Sequence, residues 1–182
     1  MDSVRGQLLI AGPPLLDPNF WRTVVLVVEH SEEGALGLVL NRPSETTVGE
    51  AVEELSELVG EDERLFIGGP VQPSAVIVLA EFEDPDDAAL MAFDDVGVLG
   101  TTSDGPEHLS VGVREARAFV GHAGWGAGQL DAELERDDWI LEKATLEDAF
   151  STEPLDLWSS VLTRKGGSYA LVARMPADPS AN

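Results

Sequence analysis

Apolar residues in this chain fall into short runs whose spacing separates strands from helices. Gln7–Ala11 (QLLIA) is an apolar run that stops at Gly12-Pro13-Pro14 and reads as a strand closed by a turn. Thr23–His30 (TVVLVVEH) is β-branched and continuous rather than alternating, which predicts a strand in mid-sheet, covered on both faces. Ser31-Glu32-Glu33 is a hairpin-length loop, and Gly34–Asn41 (GALGLVLN) returns as the partner strand. Gly34 and Gly37 mark a bend, a bulge or a close approach by another segment.

The period then changes. Thr47 and Glu50 match a capping box, and Val48, Ala51, Val52, Leu55, Leu58 and Val59 follow at helical spacing until Gly60. Leu65–Ile67, the turn Gly68-Gly69-Pro70 and Ala75–Phe82 predict a second hairpin-like unit. The charged, Pro-broken segment 83–88 reads as a solvated loop. Val96–Thr101 is a strand candidate and Pro106–Leu109 a helical turn. Ala116–Ala123 reads as a strand, and Gly124, Gly126 and Gly128 form a joint into an amphipathic helix ending near Arg136. Pro154, the stripe Leu155, Trp158, Val161 and Leu162, and Arg164-Lys165 before Gly166-Gly167 describe another helix. Tyr169–Arg174 is expected to be a last strand, with residues 1–5 and 176–182 frayed. This order predicts one α+β domain over residues 1–182.

Composition narrows the partners. The 182 residues carry 34 acidic and 11 basic side chains, a net charge of −23, and 43% are hydrophobic. Nucleic-acid binding relies on clustered Lys and Arg, so this balance argues against direct DNA or RNA contact, and equally against anionic membranes. There is no Cys, which removes disulfides and thiolate chemistry. No apolar stretch approaches the roughly 20 residues of a membrane helix. A soluble, cytoplasmic protein is the expectation.

Catalytic and cofactor motifs are weak. The sequence Gly124-Trp-Gly-Ala-Gly-Gln129 fits only part of a dinucleotide-binding turn, and packing of Trp125 in a tight strand-to-helix turn is the plainer reading. The three histidines His30, His108 and His122 are widely separated, so neither a metal nor a cofactor is expected. If Glu29-His30 meets Gly34 across the first loop, partner positions sum to about 64 and Thr23 lies opposite Asn41. Arg22, Asn41 and Arg42 then gather at one end of the hairpin. They either bind the protein's own carboxylates, such as Asp17, or form a pocket for a carboxylate or phosphate. Glu29 and His30 lie at the far end and offer only a weak acid–base pair for hydrolase-type chemistry.

The segments 6–45, FIGGPV (66–71), FVGHAGWGAGQLDAELERDDW (119–139) and PLDLWSSVL (154–162) together resemble the AlgH/YqgE family of bacterial proteins, whose biochemical function is uncharacterised. Within the first segment, Asp17-Pro18, Phe20, Arg22-Thr23-Val24, Glu29-His30, Gly34, Gly37 and Asn41-Arg42-Pro43 carry the resemblance. It implies one α+β domain with a mixed, bulged, partly open barrel-like sheet and helices packed around it. It also implies a link to transcriptional control of alginate synthesis, without a recognisable DNA-binding motif. Family-like positions that could line a ligand site are Arg22, Glu29, His30, Asn41, Arg42, Gly68, Gly69, Gly124, Trp125, Gln129 and Glu133. His122 stands where the family usually has Tyr, and Asp131 where it usually has Glu. A regulatory protein acting through a small anionic ligand or a protein partner follows as the leading expectation. An enzyme and an indirectly acting transcriptional regulator are the alternatives.

Overall fold

The computed structural model describes residues 2–99 and 112–176. Ten strands form one sheet: β1 (Gln7–Ala11), β2 (Val24–Ser31), β3 (Gly34–Val39), β4 (Pro43–Thr47), β5 (Arg64–Ile67), β6 (Val71–Phe82), β7 (Leu90–Phe93), β8 (Val96–Val98), β9 (Val113–Gly126) and β10 (Trp139–Lys143). The main path runs β10-β1-β2-β3-β9-β6-β8-β7, with β5 beside β9 and β4 beside β5. The β5–β9 pair is parallel and the others are antiparallel, so the sheet is mixed. It curls until a Cβ on Gly6, just before β1, would lie 2.5 Å from the Ala92 carbonyl of β7. Among the described residues no ladder joins the two ends, and the α+β barrel-like sheet stays open.

Both faces of the sheet are covered, which explains the unbroken apolar run of β2: Val24 through Val28 are all fully buried. On one face Leu8, Leu26, Leu38, Phe66 and Phe119 pack with Trp158, Val161 and Leu162 of helix α5 (Leu157–Lys165). On the other, Leu9, Val25 and Val27 meet Trp125, Trp139 and Leu130 of helix α3 (Gln129–Glu135). A third cluster joins Val48 and Leu55 to Val78, Phe82 and Ala118, while helix α4 (Leu146–Ala149) adds Ala149 to the first.

The first hairpin keeps the sum-64 register from Val25↔Val39 to Val27↔Gly37, then slips by one residue at Val28, so that His30 faces Ala35. This bulge is where the continuous apolar run gives way to Glu29 and His30. The capping box at Thr47 and Glu50 is present, but the helix it starts is broken. Helix α1 (Val48–Ala51), a 3-10 turn (Glu53–Leu55) and helix α2 (Ser56–Val59) follow one another around Val52, whose backbone leaves the helical region.

Three expectations are corrected. Residues 169–174 are not a strand: Ser168–Val172 form helix α6, because Gly166 and Gly167 take left-handed φ and fold the chain back onto helix α5, where Tyr169 and Val172 meet the core. Leu155 leaves the buried stripe and is 79% exposed, because Pro154–Asp156 make a 3-10 turn whose tighter repeat displaces it. The N-terminus is not frayed at Val4, which is buried and whose amide donates to Nδ1 of His30 at 3.0 Å. Strands β4, β7 and β10 were not expected from the pattern. The helical turn at 106–109, the end of the 96–101 strand and the tail 177–182 lie outside the described residues.

Candidate functional site

The hairpin end that gathers Arg22, Asn41 and Arg42 is a clasp built on backbone carbonyls. Asn41 acts as a substitute peptide: its Oδ1 accepts from the Val24 amide at 3.0 Å and its Nδ2 donates to the Arg22 carbonyl at 2.9 Å. Arg42 donates to the carbonyls of Asn19 at 2.7 Å, Pro18 at 2.9 Å and Trp21 at 3.3 Å, which ties down the turn before β2. Burial pulls the Arg42 pKa down, Asp17 opposes the shift, and the group stays cationic. Arg22 has φ of 53°, so its side chain turns away from the strand. Its guanidinium lies 4.4 Å from the Trp158 ring centroid and donates to the carbonyls of Met175 at 2.7 Å and Pro176 at 2.9 Å. Carbonyls, rather than Asp17, take these donors.

Glu29 and His30 part company at the bulge, as neighbouring strand positions must. Glu29 is exposed, whereas the His30 side chain is 5% exposed, with Nδ1 hydrogen-bonded and Nε2 beside Asp131. Because Nδ1 accepts from Val4, Nε2 carries the proton, and it lies 3.0 Å from Asp131 Oδ1. That contact is close but poorly aligned, and it leaves the buried Oδ1 without a well-directed donor. His30 thus fastens the N-terminal segment and helix α3 to β2.

The glycines serve close backbone crossing. A Cβ on Gly68 would sit 2.3 Å from the Gly121 carbonyl, and one on Gly69 would sit 2.2 Å from the His122 carbonyl carbon. Gly124 and Gly126 belong to β9, opposite Leu36 and Gly34, and do not open onto a phosphate-sized loop. Gln129 accepts from the Gly126 amide at 3.0 Å and closes the turn into helix α3. Glu133 Oε1 accepts from the indole N–H groups of both Trp125, at 3.3 Å, and Trp139, at 3.2 Å. These two rings pack edge-to-face with centroids 6.2 Å apart, and Phe20 covers both. His122 is half-buried, its Nδ1 has no partner among the described residues, and burial lowers its pKa.

A large cleft among the described residues lies elsewhere. About 910 Å³ opens between the start of β9, the segment entering β5 and the loop Phe150–Asp156. In the parallel register Phe66 faces Phe119, so Arg117 and Arg64, two residues earlier on each strand, extend the same strip past the edge of the core. The Arg117 guanidinium lies 4.5 Å from the Phe66 ring centroid, and its Nη1 is buried with no hydrogen-bond partner among the described residues. Burial lowers its pKa, while Glu63 and Glu115 work in the opposite direction. Arg114, on the same rim, is engaged with Asp95 at 3.3 Å and the Phe82 carbonyl at 3.2 Å. Among the described residues, no group of three or more His, Asp or Glu side chains is placed to hold a metal ion. No helix among them is long and apolar enough to cross a membrane.

The family model described as AlgH-like matches residues 8–170 of this chain. The chain belongs to the AlgH-like family. A UPF0301 protein of Thermobifida fusca is 43% identical over 99% of this chain and 96% of its own. One from Streptomyces coelicolor is 41% identical over 100% and 97%. The crystal structure of a Corynebacterium diphtheriae protein superposes with a TM-score of 0.83 at 29% identity, covering 95% of this chain and 93% of that one. The solution structure of AlgH from Pseudomonas aeruginosa does so at 0.73 and 30% identity, covering 98% of each. The matched residues 8–170 include the hairpin end with Arg22, Asn41 and Arg42, the tryptophan pair and the cleft, and stop short of Met175 and Pro176.

Arg117 was not legible as a site residue from composition or motif. One signal existed: alternation along Glu115, Arg117 and Phe119 places an arginine on the same strand face as a core phenylalanine.

Proposed function

We propose that this AlgH-like chain is a regulatory binding protein of the cytoplasm whose ligand seats a carboxylate or phosphate group against Arg117. The carrying observation is the half-buried guanidinium over Phe66, with one nitrogen buried and unpartnered, at the wall of the large cleft. Buried donors are almost always satisfied, and a guanidinium that lines a cleft with no hydrogen bond or ion pair among the described residues leaves donors for an acceptor there to meet. Guanidinium forks suit carboxylate and phosphate alike. Binding is favoured over catalysis because, among the described residues, the hydroxyls in the cleft, Ser151 and Thr152, have no histidine in the lining beside them. The net charge of −23 supports a regulatory effect relayed by the ligand or a protein partner, without direct DNA contact.

The test is amide NMR of labelled protein titrated with inorganic phosphate and with butyrate, repeated on Arg117→Met. Shifts centred on Arg64, Arg117 and the 151–153 loop that vanish in the variant are expected. Equal shifts in both proteins, or shifts centred on Arg22 and Arg42 instead, would overturn the assignment.

A further inference from the structure

We infer that the ligand of this cleft carries a cationic group beside its anionic one, making it a small amino acid or amine-bearing acid rather than a simple anion or a polyphosphate. The inference rests on the binding reading above and goes further, from anion to zwitterion. Five carboxylates line the cleft against three arginines, and one of those, Arg114, is already paired with Asp95. The two carboxylates whose charge acts on Arg117, those of Glu63 and Glu115, line the same cleft.

A bare anion brought to Arg117 therefore gains one contact and meets repulsion from Glu63, Glu115 and Asp62 in a partly desolvated space. Each further negative charge adds to that repulsion, which disfavours di- and triphosphates. A protonated amine a few bonds from the carboxylate reverses the sign: it answers Glu63 or Glu115 while the carboxylate answers Arg117. Strand geometry sets the scale, because Glu115 and Arg117 stand two positions apart on one face, about 7 Å along β9. That span matches a short, flexible amino acid whose charged ends are separated by a few methylene groups. The exposed Leu155 and the half-buried Leu58 and Val59 supply apolar surface for those methylenes. The cleft volume of about 910 Å³ leaves room for a larger molecule bearing the same pair of charges.

Matched probes separate the possibilities: butyrate, butylamine, 4-aminobutyrate and pyrophosphate, each titrated to roughly 10 mM, where a Kd of about 1 mM registers. The titrations use the full-length chain, Arg117→Met and the double variant Glu63→Gln/Glu115→Gln. The expected result is that 4-aminobutyrate binds at least about tenfold more tightly than butyrate or butylamine. Arg117→Met should weaken it strongly. The double Gln variant should bring it down to the level of butyrate while butyrate itself binds as well or better. Butyrate or pyrophosphate binding as tightly as 4-aminobutyrate, in an Arg117-dependent way, would overturn the zwitterion while leaving the anion site standing. No shift at the cleft with any of the four probes, or shifts unaffected by Arg117→Met, would overturn both.

Discussion

A residue kept for binding at the expense of the fold should reveal itself when it is removed, and Arg117→Met is the replacement to make. Methionine keeps an unbranched stem that can bring its sulfur to the Phe66 ring, where the guanidinium now lies. A buried donor without an acceptor costs about 1–3 kcal/mol, and partial exposure of the rest of the side chain places Arg117 in the lower half of that range. The cation–π contact at 4.5 Å is worth about 0.5–1 kcal/mol, and a methionine sulfur against the same ring returns about 0.3–1.5 kcal/mol. The attraction of Glu63 and Glu115 for the guanidinium is lost, but solvent and salt screen it to a few tenths of a kcal/mol at this partly exposed rim. The balance is a stabilisation of about 1 kcal/mol, or about 2–4 °C in Tm for a chain of this size. Urea unfolding followed by tryptophan fluorescence at about 0.15 M salt measures it. A loss of more than about 1 kcal/mol would show that Arg117 has a satisfied structural partner in solution, and the observation that carries the binding site would be gone.

The remaining predictions concern the frame around the site. Gly69→Ala drives a methyl group to 2.2 Å from the backbone of His122 at a φ of 153°, so a loss above about 3 kcal/mol or failure to fold is expected. Gly128→Ala, at a φ of 74° with nothing within 4 Å, should cost only the left-handed strain of about 1–2 kcal/mol; equal losses in the two variants by urea unfolding would refute the close-crossing account. Asp148 is buried, holds Arg164 through two 2.9 Å hydrogen bonds and caps its own helical turn from Thr145. Asp148→Ala should therefore lose about 2–3 kcal/mol in the same assay, and a loss under about 1 kcal/mol would count against it. Because burial lowers the folded-state pKa of His122, the unfolded chain takes up its proton first. The histidine's contribution is complete above the ordinary imidazole range and is lost as pH falls through about 6.5 towards the depressed value. His122→Tyr, which restores the residue usual in the family, should make the stability-versus-pH curve rise less steeply between about pH 5 and 7 than in the natural chain. Parallel curves would refute it.

Pattern alone determined those elements whose physics is local. The β1 run, the capping box at Thr47 and the helix that ends at Lys165 rest on side chains that interact within a few residues. The continuous apolar run of β2 stated that both sheet faces are covered, and the register of the first hairpin followed from its loop up to the bulge at Val28. The family, and with it the α+β class, was legible because the motifs that carry it cluster at forced backbone positions, such as Gly34, Gly68 and Gly69, where no Cβ fits. Tertiary structure decided the rest. Residues 169–174 (YALVAR) form an apolar run too short and too continuous for its period to separate strand from helix, and packing against helix α5 settled the matter. The fate of Arg22 and Arg42 depended on carbonyls from residues 18–21 and 175–176. Those carbonyls carry no sequence signature, because every residue has one. The cleft is the clearest case: Arg64, Arg117 and the 150–156 loop are distant in sequence and meet only because β5 runs parallel to β9. A charge with no partner is a property of three-dimensional surroundings, and it becomes visible only when those surroundings are assembled.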